Sequence, residues 1–269
     1  MQTIENLLNM MTFNEISYKI CPRYGYNGVM LTAKYPQLED KLEAISNSPK
    51  FKNWVDKIDK NIIRINEFIV SDCDFFGPVK PDKLGFVKGR GIGIEVKNGK
   101  PIASNIVFIR GGSVAVLIVV TILETRQKKV ILCKQLRFPS GCELIEACAG
   151  MLDDQVEDAK VEGVAFKELR EETGFDVRAC DLIKLGKIIP SGGGCDEEIS
   201  LYAWEGNITQ VEYYKKLSSV FGEGNESIQL KSYPFETFDD VLDEIKDVKA
   251  ECCWRRYLKF KSKTIYNYL

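Results

Sequence analysis

Two clusters of carboxylates stand out in a chain that has no histidine at all. The first is "KELREETGF", with Glu168, Glu171 and Glu172, and the second is "PSGGGCDEEIS", with Asp196, Glu197 and Glu198. Without imidazole the chain has neither Ser-His nor Cys-His nucleophile machinery, and most zinc sites go with it. Carboxylates are the acid-base groups that remain. On a helix, positions three and four apart share a face, which brings Glu168, Glu171 and Glu172 together, with Glu168 and Glu172 roughly 6 Å apart at Cβ. Like charges on one face near the negative end of a helix repel, and a hard divalent cation reverses that sign. Taken alone, "KELREE" also fits a solvated acidic face with Lys167 and Arg170 as mixed-sign neighbours.

These clusters need elements to hold them. The stretch from about Val156 to Thr173 reads as a helix, stopped by Gly174 and preceded by a strand-like "ELIEAC" that ends at Ala149-Gly150. Ala165, Phe166 and Leu169 offer an apolar flank for a sheet. Upstream, "SVAVLIVVTILE" and "KKVILCKQLRF" are dense enough in β-branched residues to be strands buried on both faces, so a second core begins near residue 110. Residues 1 to about 60 read as a helical lead-in. From Ile62, short apolar runs broken by glycine and proline predict a small antiparallel sheet, with a hairpin turn at Asn98-Gly99. Its "GRGIGIEV" leads into a strand pattern, so these are turn or bulge glycines and not a phosphate cradle. Around them Phe75, Phe76 and Phe86 read as core aromatics first and as a base platform second. At the far end Cys252, Cys253 and Trp254 belong to a closing helix that packs on the second core. The expected division is therefore 1–109, helical lead-in and β-rich, and 110–269, mixed α/β.

Bulk composition narrows the function classes. The 269 residues carry a formal net charge of -2 with 45% hydrophobic content, which suits a globular chain with a sizeable core and gives no general basic surface for nucleic acid or anionic membrane. The longest apolar run, "VAVLIVVTIL", is too short to span a bilayer as a helix, and the first twenty residues lack a secretory pattern. Nine cysteines without a CxxC pair read as reduced thiols. A cytoplasmic protein is the expectation.

The order strand, glycine loop, helix ending in "KELREETGF" resembles the Nudix box. Gly150 matches its first glycine; Glu168, Leu169, Glu171, Glu172, Gly174 and Phe175 match its end; and Glu157 is the counterpart of its isolated glutamate. Two departures stand out. Lys167 replaces the family arginine, so a point charge takes the place of a bidentate fork, and the span from Gly150 to Gly174 is three residues longer than the pattern. The likeness extends to "FIRGGSVAVLI", "KQLRFPSG" and "IEACAGMLDD", and is similar to the ADP-sugar diphosphatase branch with its plant-type members, and more distantly to ADP-ribose pyrophosphatases.

That resemblance implies an α/β (α+β) fold, a Nudix α/β/α sandwich with a mixed sheet and a smaller β-rich N-terminal domain that helps form a homodimer and the base pocket. It implies Mg²⁺-dependent hydrolysis of a nucleoside diphosphate sugar of the ADP-glucose or ADP-ribose class, with Mn²⁺ able to substitute. Glu168 and Glu172 would then bind metal, as would Glu171 directly or through water, and the Ala149 carbonyl would complete the set. Cys148 stands where the family usually has proline. Glu171 and Glu172 would also serve catalysis. Glu197 would activate the attacking water or bind metal, with Glu198 as its fallback, and Arg137 would contact the diphosphate. The alternatives are another pyrophosphate substrate, such as a dinucleoside polyphosphate or a UDP- or GDP-sugar, and a decayed Nudix-fold binding protein.

Overall fold

The computed structural model describes residues 24–103, 105–152, 158–222 and 226–266. The chain divides between Ile106 and Val107 into two compact units. Glu157 lies outside the described residues, as do residues 1–23 of the expected lead-in.

The first unit opens with strands where the sequence predicts helix. β1 (Tyr24–Tyr26) and β2 (Val29–Ala33) form a hairpin. Its turn is Asn27-Gly28, both with positive φ (49° and 89°), the two-residue geometry that Asn-Gly favours. Helices follow, α1 (Leu42–Asn47) and α2 (Pro49–Asp56), with Ser48 capping α2 by accepting from the Phe51 N–H at 3.1 Å. β3 (Ile63–Phe75) and β4 (Leu84–Glu95) pair antiparallel as expected, but β2 runs parallel to β3, so the sheet is mixed. Gly89 and Gly93 of the "GRGIGIEV" run lie inside β4, opposite Val70 and Ile65, where the register of β3 shifts. After β4 the chain reverses at Asn98-Gly99, and Pro101 bridges back to Ile94. Phe51, Trp54 and Phe68 pack ring on ring at 5.1–5.8 Å at the centre of the unit. Phe76 meets Phe86 edge to face but is 60% exposed, so it lies outside that core.

β5 (Ile106–Ile109) carries the chain into the second unit. There β6 (Ser113–Ile122) lies central, buried on both faces as its composition requires. The other strands are β7 (Lys128–Arg137), β8 (Cys142–Glu146), β9 (Cys148–Met151), β10 (Leu182–Ile188), β11 (Ile199–Ile208), β12 (Val220–Phe221) and β13 (Ile228–Pro234). They form a sheet in the order β10-β11-β6-β7-β13-β12, with β8 on β7 and β9 on β6. Only β11 runs parallel to β6; the remaining pairs are antiparallel. The strand-like "ELIEAC" run is broken between β8 and β9 at Ala147, whose N–H turns away to Asp247.

The helices are α3 (Asp158–Thr173), α4 (Gln210–Leu217), α5 (Phe238–Leu242) and α6 (Val248–Tyr266). Side chains of a strand alternate between faces. Val114, Val116, Ile118 and Val120 therefore pack with Val161, Ala165 and Leu169 of α3 on one face. Ala115, Leu117 and Val119 pack with Phe238 of α5 and Cys253, Trp254 and Tyr257 of α6 on the other. The result is the α/β/α sandwich with a mixed sheet, and α6 is the closing helix on the second core.

Candidate active site

The site is built where the end of α3 meets β9. Gly174, with φ of 64°, ends the helix and donates its N–H to the Arg170 carbonyl at 2.8 Å. The Gly174 carbonyl accepts from Lys216 Nζ at 2.5 Å, so a cation covers the negative pole of the helix. Leu169 and Ala165 are fully buried against the sheet, which fixes the rotation of α3 and turns Glu168 and Glu172 onto β9.

β9 receives them at two adjacent residues. The Ala149 N–H donates to Glu172 Oε2 at 3.2 Å. At Gly150, an added Cβ would lie 2.0 Å from Cδ of Glu168, so this glycine is what lets the carboxyl approach the strand. Glu171 lies to the side, paired with Lys167 at 3.6 Å. Lys167 thus meets a glutamate from the arginine position of the motif, as a point charge on a largely exposed side chain.

Burial and the neighbouring Glu172 and Glu171 push Glu168 up to about 7, with Glu226 from the segment ahead of β13 adding to them. Burial also pushes Glu172 up to about 7, against hydrogen bonds from Cys148 and the Ala149 N–H that favour its anion. Two carboxyls that retain protons to neutral pH, with a third beside them, form an all-oxygen set that suits a hard divalent cation. Glu168, Glu171 and Glu172 fit such a metal by donor type; Glu168 and Glu172 converge on β9, and Glu171 would have to leave Lys167 to join them.

The loop cluster is held differently. The Arg110 and Gly111 N–H groups donate to Asp196 Oδ1 at 2.8 and 3.2 Å. Glu197 accepts from Ser113 Oγ at 2.8 Å and pairs with Arg110 at 3.4 Å, and Glu198 pairs with Lys187 at 2.9 Å. Glu197 therefore lies at the start of β6, across from the strand pairing that places Met151 opposite Ser113. Arg110 Nε is buried with no hydrogen-bond partner.

Arg137, the last residue of β7, donates from Nε to Glu146 at 2.6 Å. Glu146 is 2% exposed and also accepts from Lys249 at 3.0 Å, which in turn pairs with Asp247 at 2.8 Å. Asp247 takes the N–H groups of Ala147 and Ala250 at 2.9 and 3.2 Å. This buried chain of charges fixes one edge of the Arg137 guanidinium. Neither Lys249 nor Asp247 is suggested by local sequence; a lone carboxylate inside the apolar run "ELIEACAG" is the signal that marks Glu146.

Beside Glu172 lie two thiols. Cys133 Sγ is 3.7 Å from Glu172 Oε2, and the hydrogen bond between Cys133 and Cys148, with burial, holds the Cys148 thiol well above its ordinary range. All eight cysteines among the described residues are free.

No family profile matches the chain. It is 34% identical over 148 residues to a GDP-mannose pyrophosphatase of Cronobacter sakazakii, covering 52% of this chain and 67% of that protein. The chain belongs to the Nudix hydrolase family. It is also 29% identical over 215 residues to the chloroplastic Nudix hydrolase 14 of Arabidopsis thaliana, covering 73% of this chain and 66%, just under two thirds, of that one. A solved structure, an ADP compounds hydrolase, aligns with a TM-score of 0.49 and 15% identity over 75% of this chain and 97% of its own. Among the described residues no helix is long and apolar enough to cross a membrane.

Proposed function

We propose that this chain hydrolyses the pyrophosphate bond of a nucleoside diphosphate sugar, releasing a nucleoside monophosphate and a sugar phosphate, with Mg²⁺ or Mn²⁺ bound by Glu168, Glu171, Glu172 and the Ala149 carbonyl. The observation that carries this reading is the convergence of Glu168 and Glu172 on Gly150 and Ala149, where burial, joined at Glu168 by the neighbouring carboxylates, pushes both carboxyls up to about 7. The bound metal would screen the substrate's charge, polarise the attacked phosphorus and acidify water. The protein's own part is to place these groups. α3 presents the carboxylates, Gly150 gives them room, and Glu146 with Lys249 holds the Arg137 fork, whose planar shape matches diphosphate oxygens. Glu197 takes the proton of the attacking water, with Ser113 and Arg110 fixing its carboxylate.

ADP-glucose and ADP-ribose are the first substrates in this reading, on the Nudix likeness of the sequence. GDP-mannose is the second, because relatives such as the Cronobacter sakazakii protein are GDP-mannose pyrophosphatases. The homodimer implied by the family resemblance and the cytoplasmic location expected from the sequence belong to the same proposal, and sedimentation tests the first of them. Nucleoside monophosphate release from ADP-glucose, ADP-ribose, UDP-glucose and GDP-mannose, with and without Mg²⁺, tests the function. Metal-dependent turnover of one of the four is the expected result, and four intact substrates in the presence of metal would remove the proposal.

A further inference from the structure

The strand topology creates a second donor set beside the first. β6 changes partner along one edge: Ile118–Thr121 pair with β7, while Ser113–Val116 pair with β9. From Cys133 onward β7 pairs with β8 instead. Cys133 and Cys148 flank this fork, and both face α3 as members of the same core. Glu172 reaches the same point from α3. The two sulfurs and a Glu172 oxygen lie within 4.8 Å of one another, and the three residues are 0%, 0% and 5% exposed.

We propose that Cys133, Cys148 and Glu172 form a site for a soft divalent cation, Zn²⁺ or Cd²⁺, whose occupancy withdraws Glu172 from the all-oxygen set. Tetrahedral zinc holds sulfur at about 2.3 Å and carboxylate oxygen at about 2.0–2.2 Å, which places its ligands roughly 3.5–3.8 Å from each other. The observed spacing needs only a small closure to reach that. Two thiols and one carboxylate select zinc or cadmium over magnesium, which takes oxygen donors in octahedral geometry. On binding, each thiol gives its proton to solvent, as does Glu172 where it is protonated, and two thiolates with one carboxylate face the dication; no electron is transferred. The fourth position is left for water. Histidine is not required for such a site, so the chain's lack of imidazole does not forbid it.

Cation binding stands on this geometry whether or not the chain cleaves a nucleotide sugar; only the inhibition described below rests on that reading. The test titrates Cd²⁺ into the full chain, kept reduced with a phosphine and saturated with Mg²⁺, while the sulfur-to-cadmium charge-transfer band is followed in the ultraviolet. The wild type and a control lacking two exposed thiols, C142A/C180A, should each give a band for one tight equivalent. C133A/C148A should lose it. Removing an outer-shell partner alone costs roughly 10–100-fold in metal affinity, so loss of two inner ligands should cost more than about a hundredfold. X-ray absorption of wild type loaded with one Zn²⁺ should show two sulfur neighbours, a measurement that needs no variant to fold. In an assay of Mg²⁺-dependent hydrolysis, the Zn²⁺ inhibition constant should rise by more than about a hundredfold in C133A/C148A. An unchanged cadmium band in that variant, or a zinc shell of oxygen and nitrogen only, overturns the proposal.

Discussion

The carboxylates at the end of α3 and those of the Asp196–Glu198 loop are the same chemical groups in opposite company. In the loop each acid has its counterpart within the protein: two backbone N–H groups for Asp196, Arg110 and a serine hydroxyl for Glu197, and Lys187 for Glu198. On α3 Glu168 and Glu172 are stacked against a strand; Glu168 is crowded by Glu172 and Glu171, and the buried Glu172 lies between Glu146 and Arg137 in charge. A carboxylate already matched with donors is held in a fixed geometry, whereas buried and crowded carboxylates hold their protons more tightly and favour a cation in their place. The first arrangement positions a group; the second creates demand for a ligand.

The largest expected effect comes from Glu172→Gln, which removes the most buried member of the α3 set. Turnover should fall by about 10³-fold. The fold should gain stability at pH 8, by roughly 1–3 kcal/mol, because a buried anion is gone. The sign follows from protonation. Glu168 and Glu172 sit near 7 in the folded chain against an ordinary value of 4.5, so between these values the folded chain holds protons that the unfolded chain has released. The stability that these two groups contribute in chelator is therefore greatest below about 4.5 and declines as pH rises through about 7. Denaturant midpoints measured from pH 4.5 to 8 should show this decline, with Mg²⁺ flattening it and Glu172→Gln halving it. A stability that rises over that range would contradict the contrast drawn between the two clusters.

Glu197→Gln sharpens the comparison from the other side. The amide keeps its contact with Ser113 but cannot accept a proton, so turnover should drop by about 10²-fold with little change in melting temperature. Gly150→Ala tests the close approach on β9. The intruding atom meets the flexible end of Glu168, so the side chain shifts and the backbone does not. A displacement of that size should lower turnover roughly ten- to a hundredfold while thermal unfolding changes little. Glu198→Gln is the small control: its exposed pair with Lys187 should contribute under about 1 kcal/mol to stability, and activity should stay within about threefold of wild type.

What local sequence encodes was read well. The β-branched runs became β6 and β7, Gly174 stopped α3, and helical spacing brought Glu168 and Glu172 to one strand end. The hairpin at Asn27-Gly28 is equally local, yet it lies inside a segment whose other residues suggest helix, whereas the same dipeptide at Asn98-Gly99 sits between strand-like runs and reads as a turn. The parallel pairing of β2 with β3 and the meeting of Cys133 with Cys148 depend on contacts that no window along the chain contains. The Glu146 network is of this kind too, since its partners lie 103 residues away, in Lys249, and at Arg137 on another strand.

That last separation bears on how the molecule is made. Asp247 reaches back 100 residues to the Ala147 N–H, and Lys249 reaches to Glu146, so the segment entering α6 pins the break between β8 and β9. A chain leaving the ribosome has displayed every acidic group of the site before these two residues emerge. Until then Arg137 is held by a buried glutamate that itself lacks its lysine. Contacts of such sequence span close late, because the loop entropy must be met before they form. Competence for catalysis would thus wait for the segment that enters α6, and would not come with the motif that carries the acids.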